Sequence, residues 1–376
     1  MFIQVSQETL FAALQQVRGI VQPNNPIPIL TGIHLHVATD RLTLRASNGK
    51  LSIQVQVRLD ETTANWRPCS IVIAADYWAD LVHKLPSGLL TLEIEEGMVL
   101  TLRSDHRSYR FYGMDPADFP PLQPLQHYHT AFRMGQADLA SMIRQVAFAA
   151  SSSDARPVLT GVCWTYACNC LRLTATDGVR FASRTVNVEH GSRSPSSVIV
   201  PSTLLKEIAK RLSEEDEVEI GIGDRHIHFQ TDRMQVHAAL IDGNYPSTEA
   251  FLPQSYLAEL TVQTTHLRLA VERIVLMAED RLIRLTIASS DKLELASATS
   301  AIGDGYEEVS IGNRTGADMK ISCNGKYMLE LLRTIESEHV RIGFTGDSGP
   351  IVMHPLQADL PQRRGQRVPL HNRRAC

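Results

Sequence analysis

Apolar positions along this chain fall into two rhythms, and each rhythm returns three times. Leu10, Leu14 and Val17 stand at i, i+4 and i+7, as do Leu139, Ile143 and Val146, and again Leu267, Val271 and Ile274. That spacing gathers apolar side chains on one face of a helix, so it predicts an amphipathic helix near the start of each third of the chain. Period-two alternation marks Leu42-Thr43-Leu44, Leu171-Arg172-Leu173 and Leu293-Glu294-Leu295, as expected of strands with one covered face. A short alternating strand opens each third: Phe2-Ile3-Gln4-Val5, Phe132-Arg133-Met134 and Leu260-Thr261-Val262. A second helix is predicted over residues 75–85, 201–212 and 324–335, with Pro201 in the first turn of the middle one, where a missing N–H costs nothing.

The recurrence extends to the residues themselves. Ile29-Leu30-Thr31-Gly32 returns as Val158-Leu159-Thr160-Gly161, and Ala46-Ser47-Asn48-Gly49 as Ala175-Thr176-Asp177-Gly178, both at an offset of 129 residues. A period of that length is a whole domain, far longer than a solenoid unit. The predicted domains span 1–125, 126–253 and 254–356, and the fold class is α+β: three tandem units, each an antiparallel sheet with two helices on one face. Such units can join edge to edge into a ring. Units one and two close alike, with Asp115-Pro116-Ala117-Asp118-Phe119-Pro120 and Ile241-Asp242-Gly243-Asn244-Tyr245-Pro246, each after a strand. In the third unit, Pro350-Ile351-Val352-Met353 instead runs into an arginine-rich segment with prolines at 361 and 369. The last strand is therefore expected to be missing or altered, residues 357–376 to form an irregular basic tail, and the third unit to be the least stable, with backbone groups left open at its sheet edge. Pro369 and brevity argue against a replacement strand around Val368-Pro369-Leu370.

Composition narrows the class. The chain of 376 residues is 43% apolar and 21% charged, as in soluble globular proteins. No run approaches the length of a membrane helix, and Met1-Phe2-Ile3-Gln4-Val5 has no signal-like core, so a cytoplasmic protein is expected. The six cysteines do not recur with the repeat and are read as reduced. A net charge of −4 argues against a protein coated in nucleic acid, but leaves room for positive charge confined to one face. Catalytic constellations are absent. No GxxxxGK[ST] phosphate loop occurs, and Asp115 and Asp118 read as turn chemistry. His226 and His228 share a strand face without a third ligand at sensible spacing, Cys168-Asn169-Cys170 sits at a turn, and His127-Tyr128-His129 lies in a linker. No metal, cofactor or catalytic residue is expected.

Five segments in order carry a resemblance: Pro28-Ile29-Leu30-Thr31-Gly32, Arg156-Pro157-Val158-Leu159-Thr160-Gly161, Leu173-Thr174-Ala175-Thr176-Asp177-Gly178-Val179-Arg180, Val198-Ile199-Val200-Pro201 and Asp242-Gly243-Asn244-Tyr245-Pro246. With them the chain, over roughly residues 1–356, resembles the β sliding clamp family of bacterial DNA polymerase III. The resemblance implies a head-to-tail homodimer forming a ring around double-stranded DNA. It also implies capture of DNA polymerase and clamp-loader subunits through short linear peptides, processivity without catalysis, no cofactor, no membrane, and a place beside the nucleoid.

A ring that slides needs sequence-independent attraction to phosphates. Candidates on the pore-facing helices are Lys84 (with His83), Arg144, Lys206, Lys210, Arg211, Arg268, Arg273, Lys326 and Arg333, while much acid sits in segments read as turns and strands, such as Glu214-Glu215-Asp216-Glu217. The plainer reading is that these are solvated helix faces. Arg156, in the loop Ser152–Arg156, matches a family segment that touches DNA; the corresponding Asn24-Asn25-Pro26 lacks the arginine often found there. The resemblance maps the peptide groove onto Leu159, Thr176, Gly178, Arg180, Phe181, Pro246 and Phe251, an apolar slot with a few polar anchors. Leu159 and Phe181 could instead simply fill the core. Ala250 stands where the family commonly has arginine, and the altered last strand would remove one wall. The dimer contact maps onto Tyr109 and Phe111 facing Leu276 and Met277. Two other readings remain: a clamp paralogue with an altered groove, in inhibitor resistance or a non-replicative role, and a repeat-domain scaffold that does not bind DNA.

Overall fold

A computed structural model describes residues 2–38, 40–59, 69–121, 130–167, 169–188, 196–248, 253–288, 291–297, 303–356 and 370–372. One order of elements is written three times. In the first repeat, β1 (Phe2–Ser6) leads into α1 (Gln7–Arg18), then β2 (Gly32–Ala38), β3 (Arg41–Ser47), β4 (Leu51–Arg58), β5 (Cys69–Ala74), α2 (Ala75–Lys84), β6 (Leu89–Glu95), β7 (Val99–Ser104) and β8 (Arg107–Tyr112). The second runs β9 (Thr130–Gly135), α3 (Gln136–Ala147), β10 (Gly161–Ala167), β11 (Cys170–Thr176), β12 (Arg180–Asn187), β13 (Ser196–Pro201), α4 (Ser202–Ala209), β14 (Glu217–Ile222), β15 (His226–Gln230) and β16 (Met234–Ala239). The third runs β17 (Ala258–Gln263), α5 (Thr264–Met277), β18 (Leu282–Ile287), β19 (Lys292–Ser297), β20 (Tyr306–Gly316), β21 (Met319–Asn324), α6 (Gly325–Leu332), β22 (His339–Phe344), β23 (Ile351–Leu356) and β24 (Leu370–Asn372).

The helix periodicity translates directly into burial. Leu10, Leu14, Val17, Leu139, Ile143, Val146, Leu267, Val271 and Ile274 are all at most 2% exposed. The strand leucines Leu42, Leu44, Leu171, Leu173, Leu293 and Leu295 are fully buried. Each such side chain removed from water contributes about 1.5–3 kcal/mol. Helix starts are set by local chemistry. Ser6 Oγ accepts the Thr9 N–H before α1, and Asn324 Oδ1 accepts the Lys326 and Tyr327 N–H groups before α6. Pro201 is not in the first turn of α4; it ends β13 and stands at the N-cap with φ −53°.

The strands form antiparallel sheets of four, eight and twelve strands. Contacts divide the chain into two compact units, Met1–Gln136 with Ser213–Leu240 and Ala137–Leu212 with Ile241–Cys376, so the division runs through the middle repeat. The first unit holds the four-stranded sheet β1-β6-β7-β8 and the eight-stranded sheet β5-β2-β3-β4-β16-β15-β14-β9. The second holds the twelve-stranded sheet β13-β10-β11-β12-β24-β23-β22-β17-β20-β19-β18-β21.

The end of the chain corrects an expectation. The third repeat does not lack its last strand: the backbone of β24 pairs with β23 (Val352 opposite His371) and with β12 (Phe181 opposite His371). It occupies the place of β8 and β16 in the other repeats. Residues 357–369 and 373–376, the rest of the expected basic tail, lie outside the described residues.

Candidate DNA-facing helices and peptide groove

Alternation along β10, β11 and β12 delivers a corner of the second unit where the expected groove residues converge. Leu159 lies in the short 3-10 turn Pro157–Thr160 that leads into β10 and is 6% exposed. Thr176 ends β11, opposite Phe181 of β12. The Thr176 N–H donates to the Tyr245 hydroxyl at 2.9 Å, its own hydroxyl donates to the Arg180 carbonyl at 2.6 Å, and the Gly178 N–H donates to Thr176 Oγ1 at 3.1 Å. Gly178 has φ +95°, the left-handed conformation this turn requires and a side chain would resist. Burial drives the Tyr245 hydroxyl above its ordinary range, so it stays neutral. The segment after β16 lies against β13 and the turn before β10: the Ile241 N–H donates to the Ile199 carbonyl, and Gly243 approaches Val158 so closely that a Cβ would sit 2.7 Å from its side chain. Pro246 is exposed beside this corner, and Phe251 lies outside the described residues.

Arg180, which the resemblance maps onto the groove, is held by partners on two elements. Its Nε donates to Asp177 at 3.0 Å and its Nη1 to Glu330 of α6. Its guanidinium lies over the rings of Tyr327 at 4.6 Å and Phe148 at 5.6 Å. With the side chain 13% exposed, it is a strut between β12 and α6. Burial and the nearby Arg180 lower the pKa of Lys206, with Glu330 opposing them.

The basic candidates other than Lys206 divide into three kinds. Lys84 is exposed at the end of α2, and Arg156 is exposed at the N-cap of the turn before β10. A second kind is exposed but paired: Arg144 with Glu336 at 3.6 Å, Lys210 with Glu207 at 2.7 Å, Arg273 with Glu307 at 2.6 Å and Lys326 with Glu330 at 3.9 Å. Arg268 and Arg333 share Glu272. Exposed pairs of this kind are worth at most about 1 kcal/mol, so a phosphate can compete for the cation. Arg211 is a third kind and corrects the sequence reading: its side chain is 7% exposed and its guanidinium donates to the Glu207 carbonyl and carboxylate, closing its own helix. The helices also carry more acid than the sequence reading allowed, because Glu207, Glu272 and Glu330 lie among the basic residues.

Tyr109 and Phe111 lie half-buried on β8, which pairs only with β7 among the described strands. Leu276 is 77% exposed near the end of α5, and Met277 is half-buried next to it. Three residues mattered that the sequence reading left out of the site. Tyr245 is signalled by the recurrence of an aromatic before proline, Phe119-Pro120 and Tyr245-Pro246. Glu330 and Tyr327 carry no such signal, since only folding brings them to Arg180. Register also sets His237 opposite His228, ring centroids 4.2 Å apart, a neighbour that strand spacing alone does not reveal. No group of metal-binding side chains occurs among the described residues. No helix among them is long and apolar enough to cross a membrane.

Comparison with known proteins agrees with this architecture along the whole chain. Three family models of the DNA polymerase III beta subunit match in order: the N-terminal domain at residues 1–123, the central domain at 133–247 and the C-terminal domain at 249–362. A beta sliding clamp from Halalkalibacterium halodurans is 31% identical over 365 residues, covering 94% of this chain and 96% of the relative. One from Bacillus subtilis is 29% identical over 357 residues, covering 93% and 94%. The crystal structure of a DNA polymerase sliding clamp from Bacillus subtilis superposes with a TM-score of 0.90 at 27% identity, covering all of both chains. A Pseudomonas aeruginosa clamp bound to griselimycin superposes with a TM-score of 0.90 at 25% identity. The repeated elements, their sheet order and these matches together place the chain in the DNA polymerase III beta subunit, or beta sliding clamp, family.

Proposed function

We propose that this protein is a DNA sliding clamp in which two copies close head to tail around duplex DNA, slide without reading sequence, and tether a DNA polymerase for processive synthesis. The domains are 1–125, 126–253 and 254–356, a reading supported by the placement of three successive family models. The clamp has no catalytic residues of its own and works in the cytoplasm at the nucleoid.

The observation that carries closure is a pair of open strand edges with complementary chemistry. β8 presents Arg107, Arg110 and the 81% exposed Tyr112, while the Tyr306–Ser310 part of β20, paired only to β19 among the described strands, presents Glu307, Glu308 and the 56% exposed Tyr306. Strand addition between two copies satisfies both backbone edges, and opposite charges fix the register. Tyr109, Phe111, Leu276 and Met277 supply the apolar part of that contact. DNA is held by Lys84, Arg144, Arg156, Lys206, Lys210, Arg268, Arg273, Lys326 and Arg333 through phosphates, which explains how a chain of net charge −4 can bind it. The groove around Leu159, Thr176, Gly178, Phe181 and Pro246 takes short apolar peptides from polymerase and clamp-loader subunits, with Arg180 bracing its floor.

Light scattering across a range of concentrations tests closure. A particle of twice the 41.8 kDa chain mass is expected. A monomer at every concentration overturns it.

A further inference from the structure

Building on the clamp reading above, we infer that the middle repeat carries a phosphate seat formed by Ser141, Arg144 and Arg184, which Glu336 fills whenever a DNA phosphate does not. Arg184 of β12 is 9% exposed, and Ser141 and Gln145 of α3 are 8% and 7% exposed. Arg184 Nη1 donates to Ser141 Oγ at 2.6 Å, and Gln145 Nε2 donates to the same oxygen at 3.3 Å. Arginine has no acceptor, so Ser141 must take that bond with a lone pair, and its own proton must point elsewhere. It points to Glu336, whose two carboxylate oxygens both lie at 3.2 Å, and Arg144 flanks the same carboxylate at 3.6 Å.

Glu336 shows what the seat accepts. Its side chain is 61% exposed, so the oxyanion lies at the surface, while the groups that orient its hydroxyl donor lie beneath. Donors fixed in advance by buried neighbours hold an oxyanion without reorganising. A phosphodiester matches the carboxylate in charge and accepts the same charge-assisted bonds. Burial lowers the pKa of Arg184, Glu336 and Asp138 oppose that shift, and Arg144 adds to it. The two arginines repel, and an anion in the seat offsets that repulsion whichever group supplies it.

The fold itself does not ask for these polar groups. At the offset of 129 residues, the first repeat has Ala12 in place of Ser141 and Val55 in place of Arg184, on the matching helix α1 and strand β4. On α5 the matching position, two after Leu267 as Ser141 is two after Leu139, is Leu269. A cluster present in one repeat and replaced by apolar residues in another with the same elements answers to something other than the shared fold. The exposed carboxylate also suits sliding. A clamp must attract phosphates without being trapped by one. When Glu336 returns to the seat as a phosphate leaves, each step exchanges one anion for another, and the buried donors are never left unpaired.

The test uses the full chain and a fluorescein-labelled duplex oligonucleotide in low salt, read by fluorescence anisotropy. Glu336→Ala opens the seat and is expected to tighten binding about threefold or more, with the slope of log K against log salt steeper by roughly 0.9, one added phosphate contact. Glu338→Ala removes an exposed acid two residues away, changes affinity less and leaves the slope as it is. Adding Ser141→Ala, the residue of the first repeat, to Glu336→Ala cancels most of the gain. Inorganic phosphate gives a second readout that needs no DNA. It raises the thermal midpoint of Glu336→Ala more than that of the double variant, a comparison in which the general stabilisation by phosphate salts cancels. Equal gains from Glu336→Ala and Glu338→Ala with unchanged slopes, a loss of affinity on Glu336→Ala, or a gain that survives Ser141→Ala overturns the inference. If no form binds duplex, a phosphate response that depends on Ser141 supports the seat and refutes its assignment to DNA, and the lack of such a response overturns the seat as well.

Discussion

The two compact units bury polar groups by opposite means. The first unit keeps histidines neutral: desolvation lowers the pKa of His34, His36, His228 and His237, with His34 and His237 brought down to about 4. It also keeps Arg45 enclosed without an acid. The second unit keeps charges and offsets them with acids: Arg180 sits between Asp177 and Glu330, and Arg184, whose pKa burial lowers, donates to Ser141 with Glu336 and Asp138 opposing that shift. One element order therefore supports two electrostatic solutions, because the fold asks only that apolar side chains fill the helix-facing side of each sheet. The other side is free to diverge, and there the units acquire different sensitivities.

The largest expected effect is at Arg180. Arg180→Ala leaves Asp177 and Glu330 facing an emptied site and should cost about 3 kcal/mol, read as faster amide exchange confined to the second unit. Equal effects in both units would erase the contrast. A glycine comparison comes next. A Cβ on Gly161 would lie 2.4 Å from Ile199 Cγ2, and one on Gly32 would lie 2.5 Å from Val72 Cγ1. Each substitution by alanine should cost about 2 kcal/mol by overpacking, with urea midpoints falling alike, since this constraint belongs to the shared fold.

Acid separates the units again. His34 has a folded pKa below the unfolded value of 6.5, so the unfolded chain binds its proton more readily. The stability it contributes is fully present above pH 6.5 and is lost as pH falls toward 4, on the order of 2 kcal/mol. Exchange between pH 7 and 4.5 should therefore accelerate first in the first unit, and acceleration first in the second would break the account. The smallest effect is at Tyr245, where Tyr245→Phe removes the acceptor of the Thr176 N–H and should cost about 1 kcal/mol, seen as a lower thermal midpoint with faster exchange at Thr176.

Much of the fold was legible because period and burial coincide: all nine helix positions read from spacing pack inside. The final strand was not, since Leu370–Asn372 is too short for alternation to register and follows a proline. Its placement depends on two neighbouring strands with unpaired edges. At the site, Leu159 and Phe181 were legible as apolar positions in a recurring motif. The fate of the basic residues was not, because whether an arginine faces solvent or folds back, as Arg211 does on Glu207, is decided by side-chain geometry within one turn. Arg180 shows the same limit at longer range: its partner Glu330 lies 150 residues away.

The most direct test of the clamp account is retention on DNA. The protein, assembled by a clamp loader onto nicked circular duplex, is passed over a sizing column in high salt, with and without prior linearisation by a single cut. The account predicts that it stays with the circle and leaves the linear duplex by sliding off its ends. Equal retention on both forms, or loss from both at the same salt concentration, would contradict a topological hold.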